Sequence, residues 1–118
     1  MRLFSGDETM VKALVIISSA DERVIPGFMW AINAIKNGWA EDVEVILFGP
    51  AERAVAEGDG LFIQWIKKLA EMGRTPTACR RIAEVEGFVG PLEEYTKVEY
   101  VGRIIAERLE EGYVPMTF

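Results

Sequence analysis

Residues 11–18 (VKALVIIS) limit the possible folds of this chain more than any other segment. They are rich in β-branched side chains and nearly all apolar, a pattern typical of a strand buried on both faces of a parallel sheet. Residues 43–48 (VEVILF) have the same character. A helical pattern follows each segment, over 26–37 and 51–57. This strand–helix alternation predicts a parallel sheet covered by helices.

The second half of the chain is less regular. Further strands are predicted over 75–78, 96–101 and 113–118, and further helices over 61–72, 80–86 and 103–111. Gly90 and Pro91 predict a turn. Because a proline cannot donate to a sheet ladder, Pro76 predicts a short third strand and Pro115 predicts an edge position for the last strand.

These elements predict one α/β domain over residues 10–118, a three-layer α/β/α fold with a five-stranded, mainly parallel sheet. Residues 1–9 match no element and are predicted to be a flexible N-terminal tail. A length of 118 residues favours a single domain.

Composition excludes several classes of function. The chain has no histidine, which removes His-based catalysis and the usual zinc and iron ligand sets, so no metal site is expected. A net charge of −6 argues against nucleic acid as a partner. The longest aliphatic run, 13–17, is far too short to cross a membrane. The N-terminus lacks an apolar signal core, so we expect a cytoplasmic protein.

Ligands of open parallel sheets bind outside the carboxyl ends of the strands, and three predicted loops lie there. The first contains Ser18 and Ser19 but no glycine, so it is neither a dinucleotide fingerprint nor a phosphate-binding P-loop, and no cofactor is expected. It either caps the next helix or lends polar groups to a ligand. Gly49 and Pro50 either simply turn the chain into a helix or present amides to an anion.

The third loop contains Cys79, the only cysteine of the chain. It follows a predicted strand, opens a predicted helix, and precedes Arg80 and Arg81. Helix amides and two cations would favour an ionised, reactive thiol. The other interpretation is a small buried side chain, which is the commonest role of a lone cysteine. Position alone leaves both open.

Taken in order, several short motifs resemble the DsrE/DsrF-like family of small sulfur-relay proteins. The motifs are KALVII at 12–17, VILFGPAE at 45–52, Cys79-x3-Ala83-x3-Gly87 and a final EEGYVPMTF at 110–118. The resemblance covers about residues 10–118. It implies a five-stranded α/β/α fold, assembly into homotrimers or homohexamers, and a cysteine that accepts and passes on persulfide sulfur. Cys79 falls where active members of that family keep this cysteine.

Two functions are therefore compared below. In the first, Cys79 is the catalytic thiol of a persulfide carrier or sulfurtransferase that exchanges sulfane sulfur with donor and acceptor proteins, and Arg80 and Arg81 stabilise its anion. In the second, the protein is a non-catalytic oligomeric module that binds a small anionic metabolite or nucleotide at the strand ends. The three Trp, three Tyr and six Phe residues exceed what one small core readily hides, which also favours a homo-oligomer.

Overall fold

The structure, a computed structural model, describes residues 11–118, so the predicted tail at 1–9 lies outside the described residues. The five predicted strands are all present. They are β1 (Lys12–Ile17), β2 (Asp42–Leu47), β3 (Thr77–Cys79), β4 (Lys97–Glu99) and β5 (Val114–Thr117). Only the ends of the predicted segments differ, by one to two residues.

Six helices connect these strands. They are α1 (Ile25–Lys36), α2 (Pro50–Ala56), α3 (Gly60–Glu71), α4 (Arg80–Glu86), α5 (Val89–Glu93) and α6 (Val101–Glu110). Helix α5 corrects the prediction of a simple turn at Gly90 and Pro91. Both residues lie in the first turn of α5, where a missing proline N–H removes no helical hydrogen bond.

The strand order is β4-β3-β2-β1-β5, and every neighbouring pair is parallel. From β1 to β4 the chain moves steadily in one direction across the sheet. It then returns through α6 to place β5 at the opposite edge. Because parallel crossovers are right-handed, this reversal places α6 on the face opposite to the preceding helices. Pro115 lies in the edge strand β5, as predicted.

The two faces of the sheet are covered unequally. On one face, α1, α2 and α3 bury large side chains, among them Phe28, Val55 and Phe62, against Val15 and Val45. On the other face α6 packs over a much smaller core, with four buried members: Leu14, Ile46, Cys79 and Val101. We call these four residues the α6-face cluster. The structure is a three-layer α/β/α domain with one thick and one thin helical layer.

Candidate functional site

Cys79 is the last residue of β3 and the N-cap of α4, so the predicted strand-to-helix position is confirmed. Cys79 is only 5% exposed to solvent. The side chain belongs to the α6-face cluster, against which the half-buried Phe48 and Ile82 also pack. Cys79 therefore lies at the carboxyl end of the sheet, close beneath the surface and surrounded by apolar groups.

The two arginines after Cys79 have different surroundings. The Arg80 Nε donates a hydrogen bond of 3.3 Å to the carbonyl oxygen of Val98, and its Nη1 lies 3.9 Å from Oε2 of Glu84. Arg81 is exposed to solvent. Within residues 11–118 neither guanidinium makes a hydrogen bond to the sulfur. Both lie close to Cys79 along the chain, and Arg80 is held by α4 and β4.

Tyr100 and Glu84 complete this end of the sheet, and sequence reasoning missed both. The Tyr100 hydroxyl donates to the Glu84 carboxylate, 3.0 Å from each oxygen. This hydrogen bond raises the pKa of Tyr100, while the charges of Arg80 and Arg81 act in the opposite direction. Tyr100 follows β4 directly, beside Cys79, because Cys79 pairs with Glu99. Ligands bind outside the carboxyl ends of parallel strands, and applying this rule to the end of β4 would have singled out Tyr100.

Ser18 and Ser19 lie at the carboxyl end of β1. Their main-chain N–H groups both donate to the main-chain oxygen of Phe118, at 2.7 and 3.2 Å. Phe118 in turn donates its own N–H to the carbonyl oxygen of Ile16. The amides of this loop thus bind the end of the sheet's edge strand, and an anion at the loop would require other donors.

Gly49 and Pro50 turn the chain from β2 into α2. The Gly49 backbone, at φ 76° and ψ −127°, has a conformation that side chains disfavour. The N–H of Ala51 donates to Ser18, and the N–H groups of Glu52 and Arg53 donate to Gly49. The amides at this turn that were predicted as possible anion ligands are therefore already hydrogen-bonded within the protein.

The structure brings these predicted loops together at one end of the sheet. The Ala51–Ser18 hydrogen bond of 3.1 Å joins the first two loops. The pairing of Leu47 with Ala78 sets Phe48 beside Cys79. The Cys79 side chain, however, faces α6, whereas α2 packs on the opposite face. The thiol and the Gly49–Pro50 turn share an edge and lie on different faces.

Glu52 is a third residue that the sequence analysis did not single out. It is completely buried, and its Oε1 accepts a hydrogen bond of 3.0 Å from the Gly49 N–H. Burial raises the pKa of Glu52 to about 7. The three-residue spacing between Gly49 and Glu52, which is that of a capping box, is a signal that could have found it.

A polar cleft of about 290 Å³ lies elsewhere, beside β2, β3 and α6. It is lined by charged side chains that include Asp42, Glu44, Arg74 and Arg108, and Cys79 is not among its lining residues. Arg74 pairs with Asp42 and Arg108 with Glu44, so its charges are largely compensated within the protein. We place the candidate site at Cys79, where the sole thiol lies, and not in this cleft.

Comparison with known proteins identifies the fold. Neither the family models nor the curated proteins gave a match. Among solved structures, the conserved protein of unknown function BT1422 from Bacteroides thetaiotaomicron matches with a TM-score of 0.80 and 23% identity, over 91% of this chain and 94% of that one. This chain has the same fold as that protein. The ychN protein from E. coli matches with a TM-score of 0.75 and 17% identity, over 92% and 100%.

A third solved structure has the same fold. Protein of unknown function MTH1491 from Methanobacterium thermoautotrophicum matches with a TM-score of 0.66 and 20% identity, over 92% of this chain and 99% of that one. At these identities the likeness establishes the fold alone. Across residues 11–118, no group of three or more His, Cys, Asp or Glu side chains could hold a metal. No helix in that part of the chain is long and apolar enough to cross a membrane.

Proposed function

We propose that this protein is a sulfur carrier of the DsrE/DsrF-like type, in which Cys79 accepts and passes on sulfane sulfur. The observation that carries the proposal is the position of the only thiol. Cys79 ends a parallel strand and occupies the N-cap position of a helix at the carboxyl end of the sheet, where open α/β sheets bind their ligands. The order of short motifs along the chain supports the same family.

The transfer needs a single cysteine. The Cys79 thiolate attacks the outer sulfur of a donor persulfide, a new S–S bond forms, and the donor S–S bond breaks with its electron pair leaving on the donor thiolate. An acceptor thiolate then attacks the outer sulfur of the Cys79 persulfide in the same way. No external oxidant or reductant is consumed, because sulfane sulfur is only exchanged between thiols.

Access to the thiol is the main structural demand of this reaction. Since Cys79 is 5% exposed, its sulfur meets a partner only when the neighbouring side chains move. Phe48 and Ile82 are two of the half-buried side chains that pack against the α6-face cluster; Phe48 follows β2 and Ile82 lies in α4. We infer that their displacement would open the cluster. A docking donor or acceptor protein would supply the contacts that hold them aside.

The alternative, an anion-binding module, is weakened by the hydrogen bonds at the strand ends. The amides of Ser18, Ser19, Gly49 and Ala51 all donate to groups of the protein itself. A free cradle of amides, which such a module would need, is not formed by these four. We therefore treat anion binding as the competing outcome of the experiment.

The experiment is intact-mass analysis of protein incubated with glutathione persulfide and then freed of excess donor. We expect the mass to rise by one sulfur atom in the wild type and to stay unchanged in Cys79→Ser, with both proteins equally folded by circular dichroism. Transfer of that sulfur to an acceptor thiol completes the test. Folded wild-type protein that never gains sulfur would overturn the proposal and leave the anion-binding module.

We also propose that the protein assembles into homotrimers or homohexamers. Several large apolar side chains are exposed in the single chain, including Met29, Tyr100, Leu109 and Val114. Leu109 lies on α6, which forms the thinner helical layer, and Val114 lies on the edge strand β5. Light scattering should give a mass of three or six chains, and Leu109→Lys should lower it. A monomer at micromolar concentration would contradict the proposal.

A further inference from the structure

Glu52 is a fully buried carboxyl group in which only one of the two oxygens is hydrogen-bonded. One oxygen, Oε1, accepts from the Gly49 N–H at 3.0 Å. The other, Oε2, is buried and has no hydrogen-bond partner among residues 11–118. A buried carboxylate is costly unless its oxygens are hydrogen-bonded or paired with a cation.

Among residues 11–118, no lysine or arginine forms an ion pair with Glu52. Arg53, the next residue, forms its ion pair with Glu86 at the end of α4. The negative charge of Glu86 reaches Glu52 and acts with burial to raise its pKa, while the Gly49 N–H acts in the opposite direction. Burial is the largest of these effects, so near neutral pH the group is close to its midpoint of protonation.

The other elements packed against α2 bring no partner. Helices α3 and α5 both contact α2. Their charged side chains are exposed to solvent: Lys67, Lys68, Glu71 and Glu93. The loop after β1 also meets α2, and its charged Asp21 and Arg23 pair with each other at 2.8 Å. The protonation of Glu52 is therefore governed by its own burial, by the hydrogen bond from the Gly49 N–H and by the charge of Glu86.

Glu52 fixes the turn that adjoins the thiol. Its hydrogen bond holds Gly49, whose unusual backbone conformation sets the direction in which the chain leaves β2. The preceding residue, Phe48, packs against the α6-face cluster that contains Cys79. A loosened turn at Gly49 would free Phe48 and thus uncover the sulfur.

We propose that Glu52 is a positioning residue of the Cys79 site: as an uncharged acid it holds the turn at Phe48–Pro50 closed, and loss of its proton loosens that turn. The Gly49 N–H favours the ionised form of Glu52, but the cost of burying that charge is larger. Ionisation therefore shifts the turn toward a conformation in which the carboxylate reaches water and the Gly49 hydrogen bond is given up. The inference rests on the proposed function only in taking Cys79 as the reacting group.

The direct test follows the Gly49 amide by NMR hydrogen exchange between about pH 6 and pH 8, corrected for intrinsic exchange. Ionisation that favours the open turn should lower the protection of this amide about ten-fold over the interval. The carboxyl carbon of Glu52 should titrate over the same range. Protection that stays constant from pH 6 to pH 8 would overturn the proposal, and this wild-type result needs no variant.

Two matched variants assign the effect to Glu52. Glu52→Gln keeps an oxygen for Gly49 and cannot ionise, so its Gly49 protection should not change with pH. Glu57→Gln removes an exposed carboxylate just after the same helix and should behave as the wild type. A Glu52→Gln protein that loses protection with the wild-type pH profile would contradict the proposal.

Alkylation of Cys79 links the turn to the site. Wild type and Glu52→Gln should react with iodoacetamide at equal rates near pH 6. Near pH 8 the wild type should react several-fold faster than Glu52→Gln at the same pH. Equal rates at both pH values would show that the turn does not control the thiol. None of these readouts involves sulfane sulfur, so a failure of persulfide loading would not contradict this inference. Constant protection of the Gly49 amide would likewise not contradict sulfur transfer by Cys79.

Discussion

The guanidinium of Arg80 is held by Glu84, with Nη1 3.9 Å from the Oε2 of that carboxylate one helical turn away. The same carboxylate accepts the hydrogen bond of Tyr100. Arg80 directly follows Cys79, yet its positive charge is partly compensated by Glu84. Glu84 thus offsets part of the positive charge that directly follows the candidate thiol.

Glu84→Gln should therefore make Cys79 more reactive. The substitution leaves Arg80 uncompensated and keeps an oxygen that can accept from Tyr100. Because the positive charge beside the sulfur is then no longer offset, we expect the alkylation rate near pH 7 to rise by about two- to five-fold. The rate is measured with iodoacetamide and mass spectrometry.

The control for this prediction is Glu41→Gln, which removes an exposed carboxylate from the opposite, amino-terminal end of β2. Its alkylation rate should match that of the wild type. An equal acceleration in both variants would mean that the overall net charge, not the local Arg80–Glu84 pair, sets the reactivity of Cys79.

Global stability should depend on pH through Glu52. Its pKa is about 7 in the folded protein and near 4.5 ordinarily, so between these values the folded state binds more protons than the unfolded state. The free energy of unfolding should then fall as the pH rises through this window, by up to about 3 kcal/mol, and level off above it. Urea unfolding at pH values between about 5 and 8 measures the slope.

Glu52→Gln should be nearly flat over the same window, because the amide does not titrate. Glu57→Gln should retain the wild-type slope, since Glu57 is exposed. A Glu52→Gln protein with the same slope as the wild type would show that other groups set the pH dependence and that Glu52 does not titrate in this window.

The strands and the position of Cys79 could be predicted because they depend on local sequence. Runs such as 12–17 have the apolar, β-branched character of buried strands, and α4 ends at Gly87 in the left-handed conformation that glycine favours. Helix α5 was missed because it has only five residues and contains Gly90 and Pro91. A segment this short carries too few apolar positions to show helical periodicity.

The contacts of the candidate site could not be predicted, because they join distant residues. The Ser18 amide binds the main-chain oxygen of Phe118, a hundred positions away, only once β5 pairs with β1. The Arg80–Glu84 pair is a local contact within α4, but the hydrogen bond from Arg80 to the Val98 carbonyl forms only because α4 packs beside β4. Side-chain direction at a surface is a tertiary property that spacing along the chain does not encode.

Gly27 should not tolerate a side chain. An added Cβ would lie 2.6 Å from the ring of Phe118 and 2.9 Å from Cδ1 of Ile17, closer than atoms can approach. Gly27→Ala should destabilise the protein by about 1–2 kcal/mol, since overpacking outweighs the higher helix propensity of alanine. Because Phe118 also binds the Ser18 loop, its displacement should weaken that end of the sheet.

The matched substitution is Gly102→Ala in α6, where nothing lies within 4 Å of the added atom. Here the alanine should be neutral or stabilise by up to about 0.5–1 kcal/mol. The two variants are compared by urea unfolding. A Gly27→Ala protein as stable as Gly102→Ala would show that the Phe118 ring does not pack against α1.

Arg108 should contribute more to stability than Arg103, the other arginine on α6. Its Nε lies 2.5 Å from Oε1 of Glu44, and both side chains are about three-quarters covered, with 28% and 23% exposed. The hydrogen bond to Glu44 raises the pKa of Arg108 further above its ordinary value, so the guanidinium stays charged at every ordinary pH. Arg108→Met would leave the Glu44 carboxylate in a half-buried position without its partner.

We expect Arg108→Met to lower the free energy of unfolding by about 1–3 kcal/mol, whereas Arg103→Met should cost less than about 0.5 kcal/mol. The side chain of Arg103 is 86% exposed and its pair with Glu107 is screened by solvent. The double variant Arg108→Met/Glu44→Met, which removes both charges, should recover much of the loss. Equal costs for the two single variants would mean that the Arg108–Glu44 pair is no stronger than a surface pair.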